Sequence, residues 1–201
     1  MVYVFLADGF EEVEAVAPID ILRRAGVEVV TVKVGGNNII DVIVNNIVSG
    51  SHDIKIIADI NDLEIVILNM IMVKRALDNL EMIVLPGGAA GVENLYNSES
   101  VKKVIDYCVA NKIPIAAICA APSILARLGY LKNIRATAYP TFRRYLIDGG
   151  AVLDETNKVI TDGIFTTAAA AGVSIEFGLE LVRVLKGEGA AEKIGEQILF
   201  Y

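Results

Sequence analysis

Short apolar runs alternate with amphipathic stretches along most of this chain, a pattern typical of alternating strands and helices. The apolar runs have the length of buried parallel strands and lie at residues 2–7, 27–34, 82–85, 114–119 and 164–168. Helical periodicity is found at residues 11–25, 100–111, 123–128, 141–147, 172–186 and 190–199. We therefore predict an α/β fold in which helices cover both faces of a mostly parallel central sheet.

Other parts of the chain are less regular. Residues 35–60 have mixed β character with glycine, asparagine and serine breaks, which indicates a hairpin or short crossover strands. Residues 61–80 leave two alternatives open, because a strand-like run is followed by a helix-like one. A short strand is predicted at 134–138, and a turn at 148–150 is expected to lead into a small hairpin. Because no linker or repeat interrupts the pattern, residues 1–201 are predicted to form a single domain.

Composition excludes several classes of protein. The net charge of −7 argues against a general nucleic-acid binder. The most apolar later stretch, residues 65–73, is far too short to span a bilayer, and the first eight residues resemble a strand rather than a signal peptide. Two distant cysteines, Cys108 and Cys119, form no disulfide framework and indicate a reducing compartment. We expect a cytoplasmic protein that binds neither membrane nor nucleic acid.

The apolar run that begins at Pro114 ends on Cys119 and leads directly into a predicted helix. Pro122 suits the first turn of that helix, where a missing N–H costs nothing. Cys119 would thus lie on a strand-to-helix turn, as the nucleophile does in hydrolase elbows. Free N–H groups at the helix start would favour the thiolate and lower the thiol pKa to about 5.5. The alternative is a small, inert cysteine in the core.

The first predicted helix carries an acidic residue on its apolar side. Glu12 falls at helical spacing with Asp20 and Arg23, which predicts a solvated face. Glu14 instead shares a face with the apolar residues Pro18, Ile21, Leu22 and Ala25. Burial would raise the pKa of Glu14, so that it could donate a proton to a thiolate. By periodicity alone, Glu14 could equally extend to solvent or favour the helix N-terminus.

The predicted strand at 82–85 is followed directly by Pro86-Gly87-Gly88. Two glycines allow the backbone to turn and to present N–H groups toward a neighbouring strand end. Together with the N–H of Ala120, they could form an oxyanion hole beside Cys119. An ordinary glycine turn is the alternative, and no phosphate-binding Gly-Lys-Ser/Thr pattern follows.

Three segments in this order resemble the ThiJ/PfpI superfamily and, more closely, its DJ-one branch: Ala7-Asp8-Gly9-Phe10-Glu11-Glu12-Val13-Glu14, Leu85-Pro86-Gly87-Gly88 and Ala116-Ala117-Ile118-Cys119-Ala120-Ala121-Pro122. The resemblance covers nearly the whole chain. It implies a flavodoxin-like three-layer sandwich, a homodimer and a cytoplasmic location.

The resemblance also assigns roles to residues. It implies that Cys119 is the nucleophilic or oxidisable cysteine and that Glu14 is the buried acid hydrogen-bonded to it. Gly88 and Ala120 match the positions whose N–H groups form the anion hole. We place Tyr139 and Gly87 in the substrate pocket, and we expect no cofactor.

The sequence departs from the branch pattern at three places. The branch often has a histidine 20 residues after the cysteine, where this chain has Tyr139. Ala120 follows the cysteine instead of the histidine of the protease-like branch, which argues against a peptidase dyad. Residues 169–172 read Ala-Ala-Ala-Gly where many relatives have Arg-Gly-Pro-Gly, so a cation near the thiol is missing. The single histidine, His52, is expected at the surface, and no zinc site is predicted.

Two functional classes follow from the resemblance. The first is a glutathione-independent glyoxalase or deglycase, in which Cys119 attacks a small-molecule carbonyl substrate and Glu14 relays a proton. The second is a redox-sensing, stress-protective protein in which Cys119 is oxidised without significant catalysis. A noncatalytic relative is a third alternative, since Tyr139 and the alanine loop depart from the pattern.

Overall fold

A computed structural model describes residues 1–35, 46–62 and 77–201 of the chain. Their strands are β1 Val2–Ala7, β2 Val29–Val34, β3 Ile47–Ser49, β4 Lys55–Ile57, β5 Ile60–Asn61, β6 Met82–Leu85, β7 Ile115–Ile118, β8 Arg135–Ala136, β9 Val152–Leu153, β10 Val159–Asp162 and β11 Phe165–Ala168. Their helices are α1 Glu12–Arg24, α2 Ala89–Asn97, α3 Glu99–Asn111, α4 Pro122–Arg127, α5 Arg143–Asp148, α6 Ser174–Lys186 and α7 Glu188–Gln197.

The central sheet has seven strands in the order β10-β11-β7-β6-β1-β2-β5. Every neighbouring pair is parallel except β10 with β11, which form an antiparallel edge. The predicted α/β fold with a mostly parallel sheet is thus confirmed. No helix within the described ranges is long and apolar enough to cross a membrane.

Side chains of β1 alternate between two apolar cores, one on each face of the sheet. Val4 and Leu6 pack with the inward faces of α1, α6 and α7. Tyr3 and Phe5 pack with α2, α3 and α4 on the opposite face. Because successive strand residues point to opposite faces, one apolar strand can serve both cores. This double burial produces the three-layer sandwich.

Several predicted elements differ from the structure. Helix α2 was not predicted, because its first turn carries Gly91 and follows two glycines. The turn at 148–150 leads to β9, which pairs in parallel with β8, whereas the edge hairpin is formed by β10 and β11 around Gly163. The mixed region at 35–60 contains a hairpin of β3 and β4. The ambiguous segment at 61–80 lies mainly outside the described residues.

Three adjacent parallel strands, β7, β6 and β1, end at the same edge of the sheet. Their carboxyl ends lead into Cys119, the Pro86-Gly87-Gly88 segment and the turn before α1. Ligands bind beyond this edge in open α/β sheets. The topology therefore brings together segments that are far apart in the sequence.

Candidate active site

Cys119 lies in a tight turn between β7 and α4. Its φ of 64° is in the left-handed region, where a non-glycine residue costs about 1–3 kcal/mol. The turn is held from two sides: Cys119 N–H donates to the carbonyl of Ala168 at 2.8 Å, and Tyr139 N–H donates to the carbonyl of Cys119 at 2.9 Å. The side chain is partly exposed. Such a strained, anchored turn presents a side chain at the mouth of a cleft.

Glu14 lies in the first turn of α1 and is fully buried. Its Oε2 accepts a hydrogen bond from the N–H of Gly87 at 3.0 Å. Its Oε1 is buried and makes no hydrogen bond of ordinary geometry within the described part of the chain. The thiol of Cys119 is close enough to act on the pKa of the carboxyl. The carboxyl is therefore buried beside the thiol, so of the two alternatives left open by helical periodicity it does not extend to solvent.

The backbone of Gly87 lies against the side chains of both Glu14 and Cys119. A Cβ at this position would lie 2.3 Å from Glu14 Oε2 and 2.7 Å from Cys119 Cβ. Both distances are shorter than any van der Waals contact, so a larger residue would push the acid and the thiol apart. Gly87 thus belongs to the site because it has no side chain.

Two backbone N–H groups act on the sulfur of Cys119. Those of Ala120 and Gly88 donate toward it and lower the thiol pKa. Gly88 has a φ of 90°, and a Cβ there would lie 2.2 Å from the carbonyl oxygen of Gly9. The close approach of the β6 and β1 loops therefore requires glycine. Both donors act on the sulfur, and an oxyanion hole formed by them stays a prediction.

Burial changes the acidity of both side chains. The pKa of Glu14 is raised to about 7, mainly by burial and to a smaller extent by the charge of Glu11, against the lowering effect of hydrogen bonds from the thiol and the Gly87 N–H. Burial and the negative charge of Glu14 raise the pKa of the Cys119 thiol, against the effect of the two N–H donors. The predicted value of about 5.5 is therefore wrong, because burial is the largest cause acting on this thiol and it raises the pKa. Helix α4 has only six residues, and its N-terminus is too short a dipole to offset a neighbouring carboxylate.

A proton on Glu14 removes part of this rise in the thiol pKa, although the burial of the thiol remains. The proton removes the negative charge that raises the thiol pKa and adds an O–H donor beside the sulfur. Glu14 and Cys119 therefore titrate as a pair that shares a proton. An acid with a pKa near 7 can accept the proton of the thiol and return it during a reaction near neutral pH.

Tyr139 joins the site through its backbone, by the hydrogen bond to Cys119 already described, and its side chain is 42% exposed. The alanine segment at 169–172 follows β11, whose last carbonyl anchors Cys119. These two of the three departures from the branch pattern therefore lie directly beside the elbow, and the third, Ala120, follows Cys119 in the sequence. Placement of Tyr139 in the substrate pocket stays a prediction.

The β3–β4 hairpin contacts the turn before α1 and was not foreseen as part of this region. His52 N–H donates to Glu12 Oε1 at 2.7 Å, and Ser51 N–H donates to the carbonyl of Phe10 at 2.8 Å. Glu12 is consequently buried, so its predicted place on a solvated face is wrong. Helical periodicity describes only which residues share a face, and here another segment covers that face.

We expect iodoacetamide to label Cys119 much faster than Cys108. Cys108 is fully buried in α3, which keeps the reagent from its sulfur, whereas the pKa of both thiols is raised by burial to about 12. Only Cys119 is partly exposed and has hydrogen-bond donors for its thiolate. Peptide mass spectrometry of the timed reaction gives both rates. Cys119→Ser should remove the fast phase and Cys108→Ser should keep it, while equal rates at the two cysteines would contradict the assignment.

Comparison with known proteins places this geometry in a family. The model of the DJ-1/PfpI family matches residues 1–184. The crystal structure of Drosophila melanogaster DJ-1beta is similar, with a TM-score of 0.85 and 28% identity, over 98% of this chain and 96% of that one. The oxidised structure of Toxoplasma gondii DJ-1 has a TM-score of 0.82 and 31% identity, over 98% and 97% of the two chains.

A more distant relative carries an enzymatic name. A deglycase of Pyrococcus abyssi is 26% identical over 185 residues, which cover 92% of this chain and 99% of the relative. The similarity to these proteins extends through all three segments that build the site. The matched family model and the shared fold agree, and the chain belongs to the DJ-1/PfpI family.

Proposed function

We propose that the protein is a cysteine-dependent enzyme acting on reactive dicarbonyls or glycated products, of the glyoxalase or deglycase type. The observation that carries the proposal is the pairing of a partly exposed Cys119 with the buried carboxyl of Glu14, under the N–H groups of Gly88 and Ala120. A nucleophile, an acid–base group and an anion hole are what carbonyl addition needs. The name of the archaeal relative supports the same class.

The chemistry begins with transfer of the thiol proton to Glu14. The sulfur then bonds to the aldehyde carbon of methylglyoxal, and the oxygen that becomes negative is stabilised by the two N–H groups. Glu14 returns the thiol proton to that oxygen, which gives the hemithioacetal and frees the carboxylate. The carboxylate then moves a proton from the former aldehyde carbon to the neighbouring carbonyl carbon, while the hydroxyl proton passes to the neighbouring oxygen, and a thioester results. Water hydrolyses the thioester, releases lactate and restores the thiol. The net change is the addition of one water to methylglyoxal.

Turnover of methylglyoxal to lactate tests this proposal. The wild type should form lactate in a buffer free of amines and thiols, since both bind methylglyoxal reversibly. Cys119→Ser should form none above the uncatalysed rate, because its hydroxyl cannot ionise near neutral pH, and Cys108→Ser should match the wild type. If the wild type neither forms lactate nor releases methylglyoxal from its adducts, the glyoxalase and the deglycase forms of the proposal are both refuted.

A redox-sensing role is the second candidate, and a specific comparison favours it. The similar Toxoplasma DJ-1 has been seen in an oxidised form, and Cys119 is the partly exposed cysteine here. Hydrogen peroxide would convert the thiolate to sulfenic and then sulfinic acid, with the Glu14 carboxyl beside the product. Intact-mass measurement after peroxide treatment, combined with the lactate assay, separates the two roles.

We also propose a homodimer in the cytoplasm. Val13 and Val16 on α1 and Ile54 and Ile57 on the β3–β4 hairpin expose aliphatic side chains, which favours burial against a second copy. Both cysteines are free thiols, as in a reducing compartment. Sedimentation velocity should give twice the chain mass, and a monomer at micromolar concentration would contradict the dimer.

A further inference from the structure

Three side chains with metal-binding atoms converge beside the candidate active site. Glu11, Glu12 and His52 each offer one ligand atom, and these atoms all lie within 4.8 Å of one another. His52 Nδ1 is 2.9 Å from Glu12 Oε2 and 3.6 Å from Glu11 Oε1. Ligand atoms around a tetrahedral zinc ion, bonded at about 2.0–2.1 Å, are separated by roughly 3.3 Å. Small side-chain movements would therefore bring all three to bonding distance.

The charges of this cluster are unbalanced. Within the described ranges, the ion pairs of Glu11 and Glu12 are made with His52 alone, and no lysine or arginine joins them. The Glu12 side chain is only 9% exposed. Buried carboxylates are ordinarily paired or bound to a metal, because removing their charge from water is costly. Two carboxylates that share one imidazole leave negative charge for a cation to neutralise.

Hydrogen bonds from the hairpin turn at Ser51 and His52 hold the two carboxylates in place. The single hydroxyl proton of Ser51 is shared between Glu11 Oε2 at 3.0 Å and Glu12 Oε2 at 3.2 Å, and the His52 N–H donates to Glu12 Oε1. A Cβ at Gly50 would lie 2.2 Å from Glu12 Oε1, so glycine makes the space that this carboxylate occupies. Hydrogen bonds to ligand side chains of this kind orient metal ligands in known sites. The cluster therefore resembles a built site rather than a chance meeting of surface groups.

We propose that Glu11, Glu12 and His52 bind a divalent transition-metal ion, for which Zn²⁺ is the best match. One imidazole nitrogen and two carboxylate oxygens suit Zn²⁺, and the exposure of His52 leaves a fourth position for water. The ligands come from two elements, because Glu11 and Glu12 begin α1 while His52 lies in the turn between β3 and β4. The ion would therefore cross-link the hairpin to the helix at the rim of the site.

Calorimetric titration of the EDTA-treated, dialysed full chain with zinc chloride tests the site. The wild type should bind one equivalent, and His52→Asn and Glu11→Gln should each weaken binding at least tenfold. Asp53→Asn is the matched control, because it removes a negative charge from the same turn without removing a ligand. Asp53 has a φ of 63°, which asparagine also adopts, so this control should fold and bind like the wild type.

Cys119 is a competing zinc ligand, and a second measurement separates it. Cys119→Ser should keep the binding, and zinc should raise the melting temperature of the wild type, Asp53→Asn and Cys119→Ser but not of the two ligand variants. If His52→Asn fails to fold, Glu11→Gln decides the outcome alone. The proposal is overturned if the wild type binds no zinc, if Cys119→Ser removes the binding, or if Glu11→Gln binds as tightly as the wild type.

Discussion

Glu14→Gln should lower kcat/KM for methylglyoxal by about 10²–10⁴-fold while the chain stays folded. Glutamine has the shape of glutamic acid, and its carbonyl oxygen can still accept the hydrogen bond from Gly87 N–H. It has no proton to exchange near neutral pH, so it can neither take the thiol proton nor carry a proton between substrate carbons. The loss should appear mainly in kcat, because the interaction is used during chemistry rather than in binding.

The control for this variant is the same chemical change on an exposed carboxyl. Glu99→Gln alters only a surface ion pair with Lys102 on α3, and should leave turnover unchanged. Circular dichroism and the elution volume of Glu14→Gln establish that it is folded. Full turnover in the folded variant would show that another group performs the proton transfers.

The free-energy difference between Glu14→Gln and the wild type should depend strongly on pH. The pKa of Glu14 is about 7 in the folded chain against a usual value of 4.5, because the buried carboxyl resists ionisation. The folded state therefore holds this proton more tightly than the unfolded state. The stability that the proton supplies is fully present below pH 4.5 and is lost as the pH rises through 7. The total loss is roughly 3 kcal/mol.

Glutamine does not titrate. The free energy of unfolding of the variant should therefore rise relative to that of the wild type by up to about 3 kcal/mol between pH 4.5 and 8. Urea unfolding of both proteins across this range, with EDTA present, gives the difference at each pH. Repeating the pair in a Cys119→Ser background removes any contribution from the thiol. A difference that stays constant with pH would mean that Glu14 ionises as easily in the folded chain as in the unfolded one.

Local signals predicted most of the sheet and of the flanking helices. The runs at β1, β6 and β7 were found within a few residues of their observed bounds, because strands buried on both faces are continuously apolar. The run at β11 was found as closely, although it contains two threonines, because β-branched residues also favour strands. Helix α2 was missed because Gly91 weakens its helical signal. A Cβ at Gly91 would lie 2.8 Å from the backbone nitrogen of Phe10, so the glycine serves a close contact with the turn after β1.

The acidic residues Glu12 and Glu14 of α1 show what helical periodicity can and cannot predict. The apolar stripe on α1 left open whether Glu14 is buried or extends to solvent, and the family resemblance favoured the buried position that the structure has. The same reasoning placed Glu12 in solvent, and that was wrong, because the hairpin turn at Ser51 and His52 covers it. Periodicity along a helix identifies a face, whereas the partner of that face is chosen by the topology of the whole chain.

The sequence by itself determined the α/β class, the cysteine at the strand-to-helix turn and the glycine pair after β6. Each depends on neighbouring residues, through apolar runs, helix starts and backbone freedom. Only the tertiary structure decided the acidity of the site and the cluster around His52. Gly87 lies 73 residues from Glu14, and His52 lies 40 residues from Glu12. Burial and charge depend on distance in space, so the pKa of a carboxyl is settled only when distant segments meet.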